Sequence, residues 1–123
     1  MEDKKKILIV DDDTDFDTKL AEKIKGAGME PIITLSGKEA LEYLAVNNVD
    51  LIILDFVMPE MDGYAFYHTL KHDMRKNIPT VVLTNLSSIE NAEGLAVYTK
   101  SETNLDDFVK EVSASLNKGE KPV

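Results

Sequence analysis

Four apolar residues, Ile7-Leu8-Ile9-Val10, run without a polar interruption straight into Asp11-Asp12-Asp13. A strand with one wet face alternates polar and apolar residues. A continuous β-branched run suits a strand buried on both faces, as in a parallel sheet. Leu51 to Leu54 repeats the signal and again stops at an acid, Asp55. Pro79 to Thr84 is another such run, and it ends on a hydroxyl.

Between these runs the apolar spacing changes to a helical period. Phe16, Leu20 and Ile24, with Ala21 and Ala27 beside them, form one stripe, and Gly26 and Gly28 end it. Ile32 to Leu35 reads as a second strand, and Pro31 puts it at an edge. Ser36-Gly-Lys-Glu39 has the spacing of a capping box and opens a helix with Ala40, Leu41, Leu44 and Ala45 inward. Met58 to Gly63 is a loop, Tyr64 to His72 a helix, and Ala96 to Thr99 a fifth strand. Leu105, Phe108, Val109, Val112 and Leu116 form a last helical stripe, with Asn104 as its N-cap. The alternation predicts an α/β fold with a parallel sheet, and such sheets place their ligand crevice at the carboxyl ends of the strands. A single domain over 1–123 is expected, with 117–123 as a flexible tail.

The acids stand at those carboxyl ends. If the first and third strands are neighbours, Asp11, Asp12 and Asp55 converge at one sheet edge. Two like charges about 4 Å apart repel by roughly 4 kcal/mol at an effective dielectric near 20. A divalent cation relieves that repulsion, and hard oxygen donors suit Mg²⁺ or Mn²⁺. The plainer alternative is that Asp11 to Asp13 merely cap the first helix, where negative charge suits the helix dipole. Thr84 and Lys100 each close a further strand. Either alone is unremarkable; acid cluster, lone acid, hydroxyl and amine in that order are far more specific.

These residues carry a resemblance. From Ile7-Leu-Ile-Val-Asp-Asp-Asp13, through Asp55-Phe-Val-Met-Pro-Glu-Met-Asp-Gly63 and Pro79-Thr-Val-Val-Leu-Thr84, to Lys100, the chain resembles a response-regulator receiver domain of two-component signalling. The resemblance implies a flavodoxin-like, doubly wound sheet of five parallel strands in the order 2-1-3-4-5. It implies Asp55 as phosphoryl acceptor, Asp12 as direct metal ligand, Asp11 acting through metal-bound water, and the carbonyl of Val57 as a further ligand to Mg²⁺. Thr84 would hydrogen-bond the phosphoryl group and Lys100 pair with its oxygens. The donor would be a histidine kinase or phosphotransfer protein, the receiver of the signal a downstream protein not named by the sequence. No enzyme activity is implied beyond self-phosphorylation and self-dephosphorylation at Asp55.

The sequence departs from the family in places. Only Asn85 to Thr99 separate Thr84 from Lys100, so a shortened or absent helix is expected where the family has its fourth. Val97 stands where a switch aromatic is usual, with Tyr98 one place later; either the strand has slipped or the coupling of threonine to aromatic is altered. Ser101 replaces a usual proline, and Asn85 a usual small residue.

Charge and composition narrow the partners. Fourteen basic against twenty-three acidic residues give a formal charge of -9, which disfavours direct binding to nucleic acid or to an anionic membrane surface. With no cysteine, thiolate metal sites and disulfides are excluded. The amino-terminal apolar run is too short for a signal peptide or a span, so no membrane insertion and a cytoplasmic location are expected.

Other readings compete for the same residues. Asp11, Asp13, Asp15, Asp17 and Glu22 have EF-hand spacing, but Phe16 occupies the glycine position. His68 and His72 share a helical face without a third ligand, which suits a solvated surface. A haloacid-dehalogenase-like phosphatase would need a threonine where Asp15 stands. A pseudo-receiver would keep the fold as a binding module without phosphorylation.

Overall fold

The computed structural model describes residues 4–58, 61–85 and 94–117. Its strands are β1 (Lys6–Val10), β2 (Glu30–Thr34), β3 (Leu51–Leu54), β4 (Thr80–Thr84) and β5 (Ala96–Thr99). All pairings are parallel, in the order β2-β1-β3-β4-β5. The expected α/β sheet with order 2-1-3-4-5 is therefore what the chain adopts. The helices among the described residues are α1 (Thr14–Gly26), α2 (Gly37–Val46), α3 (Gly63–His68) and α4 (Leu105–Asn117). The helix α3 runs on into a π-helical turn, Thr69–Asp73.

The continuous apolar runs are the sheet's middle, and each residue parity feeds a separate core. Ile7, Ile9, Ile53, Val81 and Leu83 face α1 and α4, where they meet Leu20, Ile24, Phe108 and Val112. Leu8, Val10, Ile52 and Leu54 face the other way, onto Ala40, Leu44 and Phe66 of α2 and α3. Burying each such side chain favours folding by about 1.5–3 kcal/mol, so both faces hold the strands in register. A one-residue slip would exchange the two sets between cores that differ in shape.

The caps follow the sequence. Ser36 accepts from the amide of Glu39 at 3.1 Å, and Asn104 from that of Asp107 at 3.0 Å. Helix α1 ends at Gly26: the Gly28 amide donates to the Lys25 carbonyl, and the φ of 85° at Gly28 turns the chain so that the Met29 amide reaches that of Ile24. Two expectations need correction. The second strand ends at Thr34 rather than Leu35, because Thr34 turns inward to donate to the Ile9 carbonyl at 2.8 Å; Leu35 is left exposed. The buried face of α1 is Asp17, Leu20, Ala21 and Ile24, with Phe16 only half buried. The shortened helix expected between β4 and β5 falls on 86–93 and the expected tail largely on 118–123; both stretches lie outside the described residues. No helix among the described residues is long and apolar enough to cross a membrane.

Candidate functional site

The register of β1 against β3 sets Val10 opposite Leu54. The ladder then continues one residue further, the Asp55 amide donating to the Val10 carbonyl at 3.0 Å. On the other side, the Asp11 amide donates to Thr34 at 3.2 Å. Asp11 and Asp55 are thus brought side by side by backbone bonding. Asp11, Asp12 and Asp55 each present a carboxylate oxygen within 4.8 Å of the other two. The first and last of these are buried, and Asp12 is exposed.

Lys100 opens a short 3-10 turn, Lys100–Glu102, directly after β5. Its Nζ lies 2.7 Å from Asp11 Oδ2 and 3.2 Å from Asp55 Oδ2, with all three side chains nearly buried. The same ammonium sits 4.4 Å from the centroid of the Phe16 ring. Burial pulls the Lys100 pKa down, but the hydrogen bond to Asp11 and the charges of Asp11 and Asp55 outweigh it and lift the group above the usual lysine value. Burial pushes Asp11 above the ordinary carboxylate range, against hydrogen bonds from Lys100 and the Asp13 amide. Lys100 therefore carries its charge at neutral pH and balances part of the acid cluster.

The three consecutive acids divide their work. Asp13 is the cap of α1, accepting from the Phe16 amide at 3.1 Å, as the plainer alternative held. Asp11 and Asp12 belong to the cluster instead. The EF-hand spacing has no counterpart in space, because Asp15 and Asp17 lie on α1, within a helix rather than a looped chelate.

An open cleft of about 490 Å³ lies over the cluster, lined by Asp12, Asp13, Asp55, Val57, Met58, Asn85 and Lys100. The Val57 amide donates to Asp55 Oδ1 at 3.0 Å, and Val57 is among the residues that line the cleft. Gly63 lets α3 begin against this turn: a methyl group there would come within 2.8 Å of the Asp55 carbonyl and 2.7 Å of Phe56 Cα. Thr84 closes β4 with its side chain fully buried, and Asn85 rather than Thr84 lines the cleft.

The position of the aromatic is resolved by register. Tyr98 pairs with Leu83, one residue before the Thr84–Thr99 pair, and packs edge-to-face on Phe108 of α4. Its hydroxyl donates to Glu111 at 3.3 Å. Val97, at the position where an aromatic was expected, is exposed. His68 and His72 are exposed with rings 4.5 Å apart, in keeping with a solvated face.

Asp17 is a buried acid that the sequence reading gave only a place in the EF-hand spacing. It is fully buried, and neither carboxylate oxygen has a hydrogen-bond partner. Burial first, and Asp11 second, push its pKa up to about 8. The signal was present in the spacing: Asp17 falls at i with Leu20, Ala21 and Ile24 at i+3, i+4 and i+7, one inward face.

Hard oxygen donors on an open cleft fit a small divalent cation, which Mg²⁺ binds through one or two carboxylates while keeping several waters. Comparison with known proteins agrees with this arrangement. The family model of the response regulator receiver domain matches residues 7–109. The heme response regulator HssR of Staphylococcus haemolyticus is 32% identical over 104 residues, which cover 85% of this chain but only 43% of that protein. The chain thus spans under half the length of that curated relative. The Francisella response regulator 1452 receiver domain superposes with a TM-score of 0.80 at 28% identity, over 94% of this chain and 99% of its own. The TrrA response regulator of Thermotoga maritima, solved with Mg²⁺ and BeF, gives 0.77 at 28% identity, over 89% and 97%. With its sheet order, acid cluster and family match all in agreement, the chain belongs to the receiver-domain family of two-component response regulators.

Proposed function

We propose that this chain accepts a phosphoryl group on Asp55 and thereby changes the surface it offers to a partner protein. The observation that carries the reading is the convergence of three carboxylates within 4.8 Å, with Lys100 bridging two of them. The donor is a phosphohistidine on a histidine kinase or phosphotransfer protein. A carboxylate oxygen of Asp55 attacks phosphorus, the P–N bond breaks, and the imidazole departs with the electron pair. The product is an acyl phosphate, which water later hydrolyses back to the free acid. Beyond this self-modification no enzyme activity is assigned.

Asp11, Asp12, Asp55 and the carbonyl of Val57 are the groups that would hold Mg²⁺, or Mn²⁺ in its place. When bound, the cation offsets the charge of the phosphoryl oxygens and of the acids. Lys100 is already within reach of Asp55 and supplies positive charge on the inner side of the cleft. The Val57 amide fixes the Asp55 carboxylate in one orientation, so attack needs little reorganisation. Phosphorylation adds negative charge and acceptor oxygens. Thr84 and Lys100, at the ends of neighbouring strands, are the polar groups that would respond. The solved relative with Mg²⁺ and BeF supports a site of this kind. The reading places the chain in the cytoplasm, with no direct contact to nucleic acid or membrane by these residues.

The test is intact mass after incubation with acetyl phosphate and Mg²⁺. One phosphoryl group is expected on the unsubstituted chain and none on Asp55→Asn. A folded chain that gains no phosphoryl group would mark a pseudo-receiver, and turnover of small phosphate esters that survives Asp55→Asn a phosphatase.

A further inference from the structure

We propose that Asp17 is a positioning residue of this site, providing an inner seat for the Lys100 ammonium when a divalent cation occupies the acid cluster. The inference rests on the cation reading given above and adds to it a residue with no assigned role.

The oxygens that Lys100 holds are those a cation needs. Its Nζ bonds Asp11 Oδ2 at 2.7 Å and approaches Asp55 Oδ2 at 3.2 Å, inside the same cluster that brings three carboxylates together. A doubly charged ion on those oxygens repels the ammonium and removes its acceptors. Lys100 is nearly buried and its Nζ rests against the Phe16 ring, so an ammonium that stays inside needs another hydrogen-bond acceptor nearby. Asp17 follows Phe16 in the chain, on the inward face of α1. It is wholly buried, the charges of Asp11 and Lys100 reach it, and both its oxygens stand without a hydrogen bond and so are open to accept one. A buried carboxyl with no partner costs stability, which a merely structural side chain at this position would not. An ammonium shared between the cluster and Asp17 accounts for both groups. Lys100 holds Asp11 and Asp55 while the cleft lacks a cation, and turns to Asp17 before a phosphoryl group has arrived to receive it.

The experiment is a double-mutant cycle on Mg²⁺ affinity, read by calorimetry on the unsubstituted chain, Asp17→Asn, Lys100→Met and the double variant, with NMR spectra to establish that each is folded. Asp17→Asn is expected to weaken Mg²⁺ by about fivefold while Lys100 is present, and to change it by less than about twofold in the Lys100→Met background. Equal weakening in both backgrounds would mean that Asp17 acts on the cation directly and would overturn the proposal. So would unchanged or tighter Mg²⁺ binding in Asp17→Asn alone. Should that variant misfold, Asp17→Ala is read the same way. Failure of the unsubstituted chain to bind Mg²⁺ would bring down the cation reading and this one with it.

Discussion

The ammonium of Lys100 lies 2.7 Å from Oδ2 of Asp11, closer than it lies to Asp55. Because both partners are buried, the pair is one that is costly to break by halves. Lys100→Met is expected to destabilise the metal-free chain by about 3–5 kcal/mol, since two acids are left facing each other without a counter-charge. Mg²⁺ should restore much of that loss by replacing the missing cation. Urea unfolding with and without Mg²⁺ measures both effects; a variant as stable as its parent without Mg²⁺ would contradict the expectation.

Asp17 predicts a particular dependence of stability on pH. Its folded pKa of about 8 lies well above the ordinary unfolded value of about 3.9. Below pH 4 the group is protonated in both states and has no effect. Between about 4 and 8 the unfolded chain releases the proton while the folded chain keeps it, so stability falls as pH rises, by up to on the order of 4 kcal/mol at pH 7. Asp17→Asn should flatten that slope, raising the melting temperature at pH 8 and leaving it nearly unchanged at pH 4. Parallel curves for parent and variant across that range would show that the carboxyl does not titrate as described.

Neighbouring acids should separate cleanly by role. Asp12 is exposed and makes no cap, so Asp12→Ala should alter stability by no more than about 0.5 kcal/mol yet weaken Mg²⁺ by about tenfold or more. Asp13→Ala should do the reverse, costing about 1 kcal/mol through the lost cap while Mg²⁺ binding changes little. Thermal unfolding and Mg²⁺ titration of the two variants, side by side, provide the check.

Gly63→Ala tests the turn that follows Asp55. A methyl group in an exposed helix would stabilise it slightly, but here it meets Phe56 and the Asp55 carbonyl. The expected loss is about 1–3 kcal/mol from overpacking. Phosphorylation of Asp55 by acetyl phosphate should slow as well, because the displaced atoms belong to the acceptor and its neighbour. A variant phosphorylated at the parental rate would show that the turn tolerates the shift.

Much of this was legible in the chain because the core writes its pattern over several residues at once. Unbroken runs such as Ile7 to Val10 suit strands buried on both faces of a parallel sheet, and acids at their ends then meet at the sheet's carboxyl edge. Caps at Ser36 and Asn104 depend on local spacing and were read correctly for the same reason. What escaped notice depends on single orientations. Asp17 looks like one more solvated acid on a charged helix, and only the roll of α1 about its axis turns it inward. Val97 and Tyr98 differ by one place in a strand whose two faces are similarly polar in sequence. Only pairing with Leu83 decides which way the ring points.

The bond from the Asp55 amide to the Val10 carbonyl has a consequence for any signal that starts here. It anchors the base of the acceptor to the same framework that holds both halves of the interior together. Chemistry at its carboxylate can therefore bend very little of the backbone beneath it. Under the proposed function the response then falls to side chains rather than to this backbone, the nearest being Lys100, which reaches Asp55 at 3.2 Å from the turn after β5.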